Sequence, residues 1–293
     1  MANRVNRFSE PEVKSGYALI APPFIYSVLL LAVPVGLIVL YSFWTDGYLE
    51  IIKTFTMENY IAAWTDPLYR QVMLRSLGVA AMVTLVTVVL AYPVAYYVSF
   101  HVSGSRKALW LFLITIPFWT SYLIRVFLWK VILGYNGVLN TGLMKLRLID
   151  EPLTFLLYNV NSVVITLAHA YAPFAILPIF VALEKIDRSL LEASQDLGEG
   201  KVMSFFRVTL PLSMTGVIAA VMIVFIPTIG DYVTPNLVGG PQGQMIANVI
   251  QLQYMRLDNY PLGSALAVSA MLIVAAVSLV FLFLNRRFLK GSK

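Results

Sequence analysis

No cysteine occurs anywhere in the chain, which excludes disulfides, zinc thiolate sites and thiol catalysis and leaves the redox compartment unread. Histidine is nearly as scarce: only His101 and His169 occur, and neither has a partner at the HxxxH or HExxH spacing of a metal site. Charge is thin as well, 12% of residues against 59% hydrophobic, with a mean hydropathy of +0.79. That balance is far from a soluble domain's. No Ser/His/Asp set or carboxylate pair arranged for hydrolysis is evident. GEGKV, at 198–202, falls short of a phosphate loop, because Gln195 stands where its first glycine belongs and Val202 follows the lysine.

Apolar runs fill the chain instead. Six are found, at approximately 17–43, 76–100, 108–134, 161–183, 213–235 and 262–284, each long enough to cross a hydrocarbon core of about 30 Å. In lipid, backbone amides must be satisfied within their own segment unless a barrel closes, and these runs are too long and continuous for barrel strands. The expected fold is therefore all-α and polytopic, with six transmembrane helices. Residues 1–16 form a polar N-terminal segment, 17–285 the membrane domain and 286–293 a basic tail. The first run is too long for a signal-peptide core and lacks a small-residue cleavage site, so it is expected to remain as an anchor.

The net charge of +6 is placed as a topology signal. Arg4, Arg7, Lys14, Arg106, Lys107, Lys185, Arg188, Lys201, Arg207, Arg286, Arg287, Lys290 and Lys293 fall on one side; Lys53, Arg70, Arg75, Lys145, Arg147 and Arg256 fall on the other. The richer side is expected to be cytoplasmic, with both termini there. Scattered beside apolar ends, these charges make no nucleic-acid face. Prolines interrupt five runs (Pro22, Pro23, Pro34, Pro93, Pro117, Pro173, Pro178, Pro227, Pro235). They are read either as the ordinary enrichment of membrane helices or as kinks lining a translocation path. The outer loops LGYNGVLNTGL and YVTPNLVGGPQGQMIANVI each have room for a short covering helix.

LLEASQDLGEGKVMSFFRVTLPL, at 190–212, is an unusually long, charged and helix-forming connection for so apolar a chain. Ser189 with Glu192 reads as a capping box, and Gly198 as the end of the helix it starts. Leu190, Ala193, Ser194 and Leu197 should share one side, and a second helix at 201–208 should halt before Pro211. Two short helices would then project from the cytoplasmic face, either lying on the membrane surface or docking a partner. EASQDLG, followed after nine residues by VTLP, resembles the EAA loop of membrane subunits of binding-protein-dependent ABC importers. Glu192, Ala193, Gly198, Val208, Leu210 and Pro211 match that pattern, and Ser194 replaces its second alanine.

The resemblance implies the type I importer permease fold, with 184–212 as the loop that docks on the ATPase. Glu192, Ala193, Ser194, Asp196, Leu197, Gly198, Leu210 and Pro211 would be its coupling residues. It also implies pairing with itself or with a second, related permease chain, two cytoplasmic ATPase subunits, an external solute-binding protein, and an inner-membrane location. No cofactor is implied for this chain; ATP and Mg would be held by the ATPase. PFWTSYLIRVFLWKVILGYNGVLN, from Pro117, and GDYVTPNLVGG, from Gly230, are similar to the spermidine/putrescine branch. The solute expected is thus a polyamine; an amino-acid derivative, an opine, a metal or an oxyanion is the alternative, and a secondary transporter, a channel or a membrane-embedded enzyme lies further off.

A cationic solute needs carboxylates or aromatic faces along its path. Trp119, Tyr122, Tyr171, Asp231 and Tyr232 are the candidate path or gate residues. Arg125 would repel such a solute and is expected to be ion-paired or to snorkel to the interface; assistance to an anionic cargo is the alternative. His169 is expected to hydrogen-bond across helices.

Overall fold

The structure, a computed structural model, describes residues 11–47, 50–156 and 158–290. Arg4, Arg7 and Lys293 lie outside the described residues. Six helical runs among those described are long and apolar enough to cross a membrane: Ser15–Tyr41, Pro67–Phe100, Tyr122–Lys145, Val160–Glu184, Lys201–Gly230 and Tyr260–Leu284.

Helix α1 (Pro11–Tyr41) begins inside what the sequence marks as a polar segment. A two-stranded hairpin, β1 (Thr45–Gly47) with β2 (Glu50–Ile52), follows it in antiparallel register with Thr45 opposite Ile52. The short α2 (Glu58–Thr65) leads to Asp66, whose carboxylate caps α3 (Pro67–Phe100) by accepting from the Leu68 amide at 2.8 Å, ahead of a proline suited to a helix's first turn.

The expected third span, 108–134, is not one helix. It is divided into α4 (Gly104–Thr115), a 3-10 turn Ile116–Trp119, and α5 (Tyr122–Leu133). Pro117 has no N–H to donate, and the chain turns extended at Thr120 (φ −100°, ψ 146°), whose amide and hydroxyl both bond back to the Pro117 carbonyl. A further short helix, α6 (Val138–Lys145), follows.

Helix α7 (Val160–Glu184) opens on a capping box formed by Asn159 and Ser162. Two short helices, α8 (Arg188–Asp196) and α9 (Lys201–Ser204), connect it to α10 (Leu210–Ile229). The fifth span, expected to reach 235, stops at Ile229, and Pro235 instead opens a π turn, Pro235–Gly239. The connection after α10 contributes α11 (Ile246–Met255) before α12 (Tyr260–Leu284) and the short α13 (Arg286–Lys290).

The core is a triangle of α3, α7 and α10. Val83, Ala91, Ala95 and Val98 of α3 meet Leu167, Ala175, Ile179 and Leu183 of α7, with Ala220 and Val224 of α10 closing the third side. Small residues let the backbones approach. A Cβ at Gly216 of α10 would stand 2.5 Å from the Pro178 carbonyl and 2.6 Å from the Ala182 Cβ, so glycine sets the α7/α10 crossing. A second cluster joins α2, α3, α10, α11 and α12 through Val72, Ala80, Phe225, Ile229, Ile246 and Leu266. Helix α1 stands outside both: none of its apolar stretch is buried, and it packs along α12.

Candidate functional site

Two sites emerge, one at each end of α10. At the α8 end, the chain leaves α7 through buried Ile186, and Asp187 rather than Ser189 caps the new helix. Its Oδ1 accepts from the Ser189 amide at 3.0 Å, and that bond holds the Asp187 carboxyl below its ordinary range. The capping box expected at Ser189 and Glu192 is therefore replaced by a simple cap at Asp187, which starts the helix two residues earlier.

Gly198 ends α8 as expected. It adopts φ 87°, the Gly198 amide donates to the Gln195 carbonyl, and the Glu199 amide donates to the Ser194 carbonyl. These are the paired bonds of a Schellman motif. A Cβ at Gly198 would meet nothing within 4 Å, so backbone conformation, not space, requires glycine.

The bend is braced by side chains. Glu199 accepts from Ser194 Oγ at 3.1 Å and from Arg207 Nη1 at 2.5 Å, tying α8 to the segment beyond α9. Ser194 is buried, 7% exposed, and does not share an outer face with Leu190, Ala193 and Leu197; it turns inward, with Leu191 half-buried beside it. Replacing the family's second alanine with serine thus supplies a brace, a role invisible in a small-for-small exchange.

The second helix also does not halt before Pro211. Residues Lys201–Ser204 run through a π turn, Phe205–Thr209, directly into α10. The Leu210 amide reaches back five residues to the Phe205 carbonyl, and the added residue in that turn gives the proline ring room. Leu210 and Pro211 are thus half-buried in the first turn of α10, making α9 and α10 one rod. Outward faces remain Glu192, Ala193, Asp196, Leu190 (47% exposed), Leu197 (86%), Val202 (73%) and Phe206 (58%). These side chains form an exposed apolar knob edged by carboxylates.

At the other end of α10, Asp231 is 8% exposed. Its Oδ1 accepts from the Val233 and Thr234 amides at 2.9 and 3.3 Å; its Oδ2 accepts from Tyr122 Oη of α5 at 2.7 Å. Tyr122 Oη also lies 2.6 Å from the Thr234 hydroxyl. The carboxylate is thereby fully engaged, and it latches the loop after α10 to the start of α5, just past the break at Pro117. Tyr171 of α7 is half-buried against the α3/α7/α10 core, and Tyr232, next to Asp231 in the chain, is 43% exposed. Trp119, 81% exposed on the 3-10 turn, makes no hydrogen bond to this cluster.

Arg125 makes no ion pair among the described residues. Its Nε and Nη1 are buried without a hydrogen-bond partner, and its guanidinium carbon lies 5.8 Å from the centre of the Tyr122 ring. The expected cross-helix bond of His169 is present: Trp129 Nε1 of α5 donates to His169 Nδ1 of α7 at 3.1 Å.

The family described as "Binding-protein-dependent transport system inner membrane component" matches residues 19–291. The chain is 35% identical to the spermidine/putrescine transport system permease protein PotB of Escherichia coli (strain K12) over 255 residues, 87% of this chain and 92% of the relative. It is 35% identical to the protein of the same name from Haemophilus influenzae over 264 residues, 90% of this chain and 91% of the relative. Among solved structures, a bacterial alginate ABC transporter in complex with an alginate-pentasaccharide-bound periplasmic protein superposes with a TM-score of 0.72 at 15% identity, covering 92% of this chain and 93% of that one.

Proposed function

The chain belongs to the inner membrane components of binding-protein-dependent transport systems, and from that premise we propose that it is the permease through which an ATP-driven importer moves a polyamine of the spermidine or putrescine type. The observation that carries the cargo is the 35% identity, spread over 87% of the chain, to a permease named for those two solutes. The architecture that carries the mechanism is the α8 knob, stiffened by Gly198, Glu199 and the π turn.

In this reading α8 and α9 face the cytoplasm and dock on an ATPase subunit, with Glu192 and Asp196 offering charge to basic partner groups. The outward Leu190, Leu197 and Val202 fill an apolar groove on that subunit. ATP and Mg bind the ATPase, and closure of two such subunits pulls on α8. A second, related permease completes the path. Because α9 is continuous with α10, the pull reaches the Asp231–Tyr122 latch at the far end of the same rod. Opening there admits solute released by an external binding protein, and a knob that flexed would absorb the motion. The excess of Lys and Arg beside α8 and at both termini supports the same orientation.

The test is ATPase activity of the complex reconstituted with its ATPase and binding protein, with and without spermidine or putrescine. Stimulation by the loaded binding protein is expected. A complex that responds to its binding protein only with a different solute would keep the permease role and reject the polyamine.

A further inference from the structure

Ser99, in the last turn of α3, is 1% exposed and lies where four helices meet. Its carbonyl is among the terminal ones that receive no N–H from their own helix. Arg188 Nη2, at the start of α8, donates to it at 2.9 Å, and the guanidinium carbon stands 5.1 Å over the Phe100 ring. A cation is favoured there by the helix dipole. The Ser99 hydroxyl donates to Glu184 Oε1 at the end of α7 at 2.6 Å. The same oxygen takes Lys107 Nζ of α4 at 2.6 Å. Lys107 sits in the first turn of its helix, where the dipole disfavours a cation, and Glu184 offsets that cost.

This junction has a mechanical meaning. Helix α8 is joined through the backbone to α7 on one side and, through α9, to α10 on the other. Helices α3 and α4 meet α7 through core packing and the Glu184 bonds to Ser99 and Lys107, but no covalent link joins α8 to either of them. Arg188 joins the base of α8 directly to the end of α3.

We propose that Arg188 is a positioning residue for coupling: it pins the base of the docking knob to Ser99, so that α8 passes its motion to α3 directly as well as through α7 and α10. The proposal rests on the reading of α8 as the ATPase-docking element. It assigns to Arg188 a part in transmitting the ATPase motion, whereas Glu192 and the outward apolar residues receive it.

The experiment compares wild-type, Arg188→Gln and Arg188→Lys chains in the full reconstituted complex and reads solute imported per ATP hydrolysed. A variant that merely folds less well lowers import and hydrolysis together and leaves this ratio unchanged. Arg188→Gln is expected to lower the ratio about tenfold, the size of a typical coupling free energy between sites. Arg188→Lys should restore part of it, since an ammonium keeps the charge and a donor but not the planar fork. An unchanged ratio in Arg188→Gln overturns the proposal. Should that variant fail to assemble, the cysteine-free background allows Ser99→Cys with Arg188→Cys, bridged by a short bifunctional thiol reagent. A pin that stays closed through the cycle predicts a higher ratio after bridging than before it, and arrest or no gain overturns it. A wild-type complex in which the ATPase does not associate, or ignores the loaded binding protein, rejects the importer reading itself. A coupled wild type with an equally coupled Arg188→Gln rejects only the pin.

Discussion

Gly216→Ala adds one carbon to the close crossing of α7 and α10. The new Cβ would stand 2.5 Å from the Pro178 carbonyl oxygen, 2.6 Å from the Ala182 Cβ and 3.0 Å from the Ile179 Cα. Comfortable carbon contacts lie near 3.5 Å, so the two helices must separate by about 1 Å. Two of the three obstacles are backbone atoms, which have no rotamer to escape into. The cost expected is about 2 kcal/mol, within the range of overpacked cores, or roughly a thirtyfold fall in the folded-to-unfolded ratio. Gly78, within α3, supplies the opposite case: a Cβ there meets nothing within 4 Å. Gly78→Ala should stabilise by about 0.5–1 kcal/mol, because alanine loses less backbone freedom in a helix. Denaturant titration of the purified chain in detergent, followed by tryptophan fluorescence, reads both. If the two variants shift in the same direction, or Gly216→Ala is silent, α7 and α10 do not cross as closely as described.

Glu192→Lys should abolish import while leaving the chain inserted in the membrane; uptake by proteoliposomes at the wild-type rate would refute a docking role. Tyr122→Phe removes the phenol that Asp231 Oδ2 and the Thr234 hydroxyl share, and an orphaned buried carboxylate oxygen should cost about 1–3 kcal/mol. A thermal midpoint equal to wild type would show the latch to be slack. The Asp187 cap carries a pH signature. Because folding lowers this carboxyl below its ordinary 3.8, its stabilisation is complete above that value and fades as pH falls through the lowered one. Protection of the Ser189 amide against hydrogen exchange should therefore fade only below about pH 4, and Asp187→Ala should show the unprotected rate at every pH.

The spans were legible because roughly 20 apolar residues in a row leave few structural choices. The break at Pro117 was harder to see, since membrane helices often tolerate a kinking proline; here the neighbouring Thr120 and Ser121 leave the helical region, and hydropathy does not register backbone angles. Motif spacing located the knob but misplaced its cap by two residues, because both Asp187 and Ser189 are good caps and only geometry selects between them. Halting the second helix before Pro211 assumed a regular α-helical ladder, which the π turn at Phe205–Thr209 breaks by one residue. Tyr122 and Asp231 were both named as path residues, yet their direct bond spans more than a hundred positions of sequence and leaves no local trace. In the sequence, Arg188 stands out only as a topology charge. A basic residue immediately after a capping aspartate is a signal that could have marked it.

The seating of α1 along α12 sets a timetable for biogenesis. The ribosome finishes Tyr41 some 220 residues before it reaches Tyr260, and at about 5–20 residues per second the wait lasts roughly 10–45 s. Throughout that interval the α3, α7 and α10 triangle can assemble as its members arrive, while the first helix made has no seat in its own chain. Insertion machinery or lipid must shelter it until the last helix is delivered, so truncations that remove α12 should leave α1 inserted but undocked and exposed to membrane quality-control proteases.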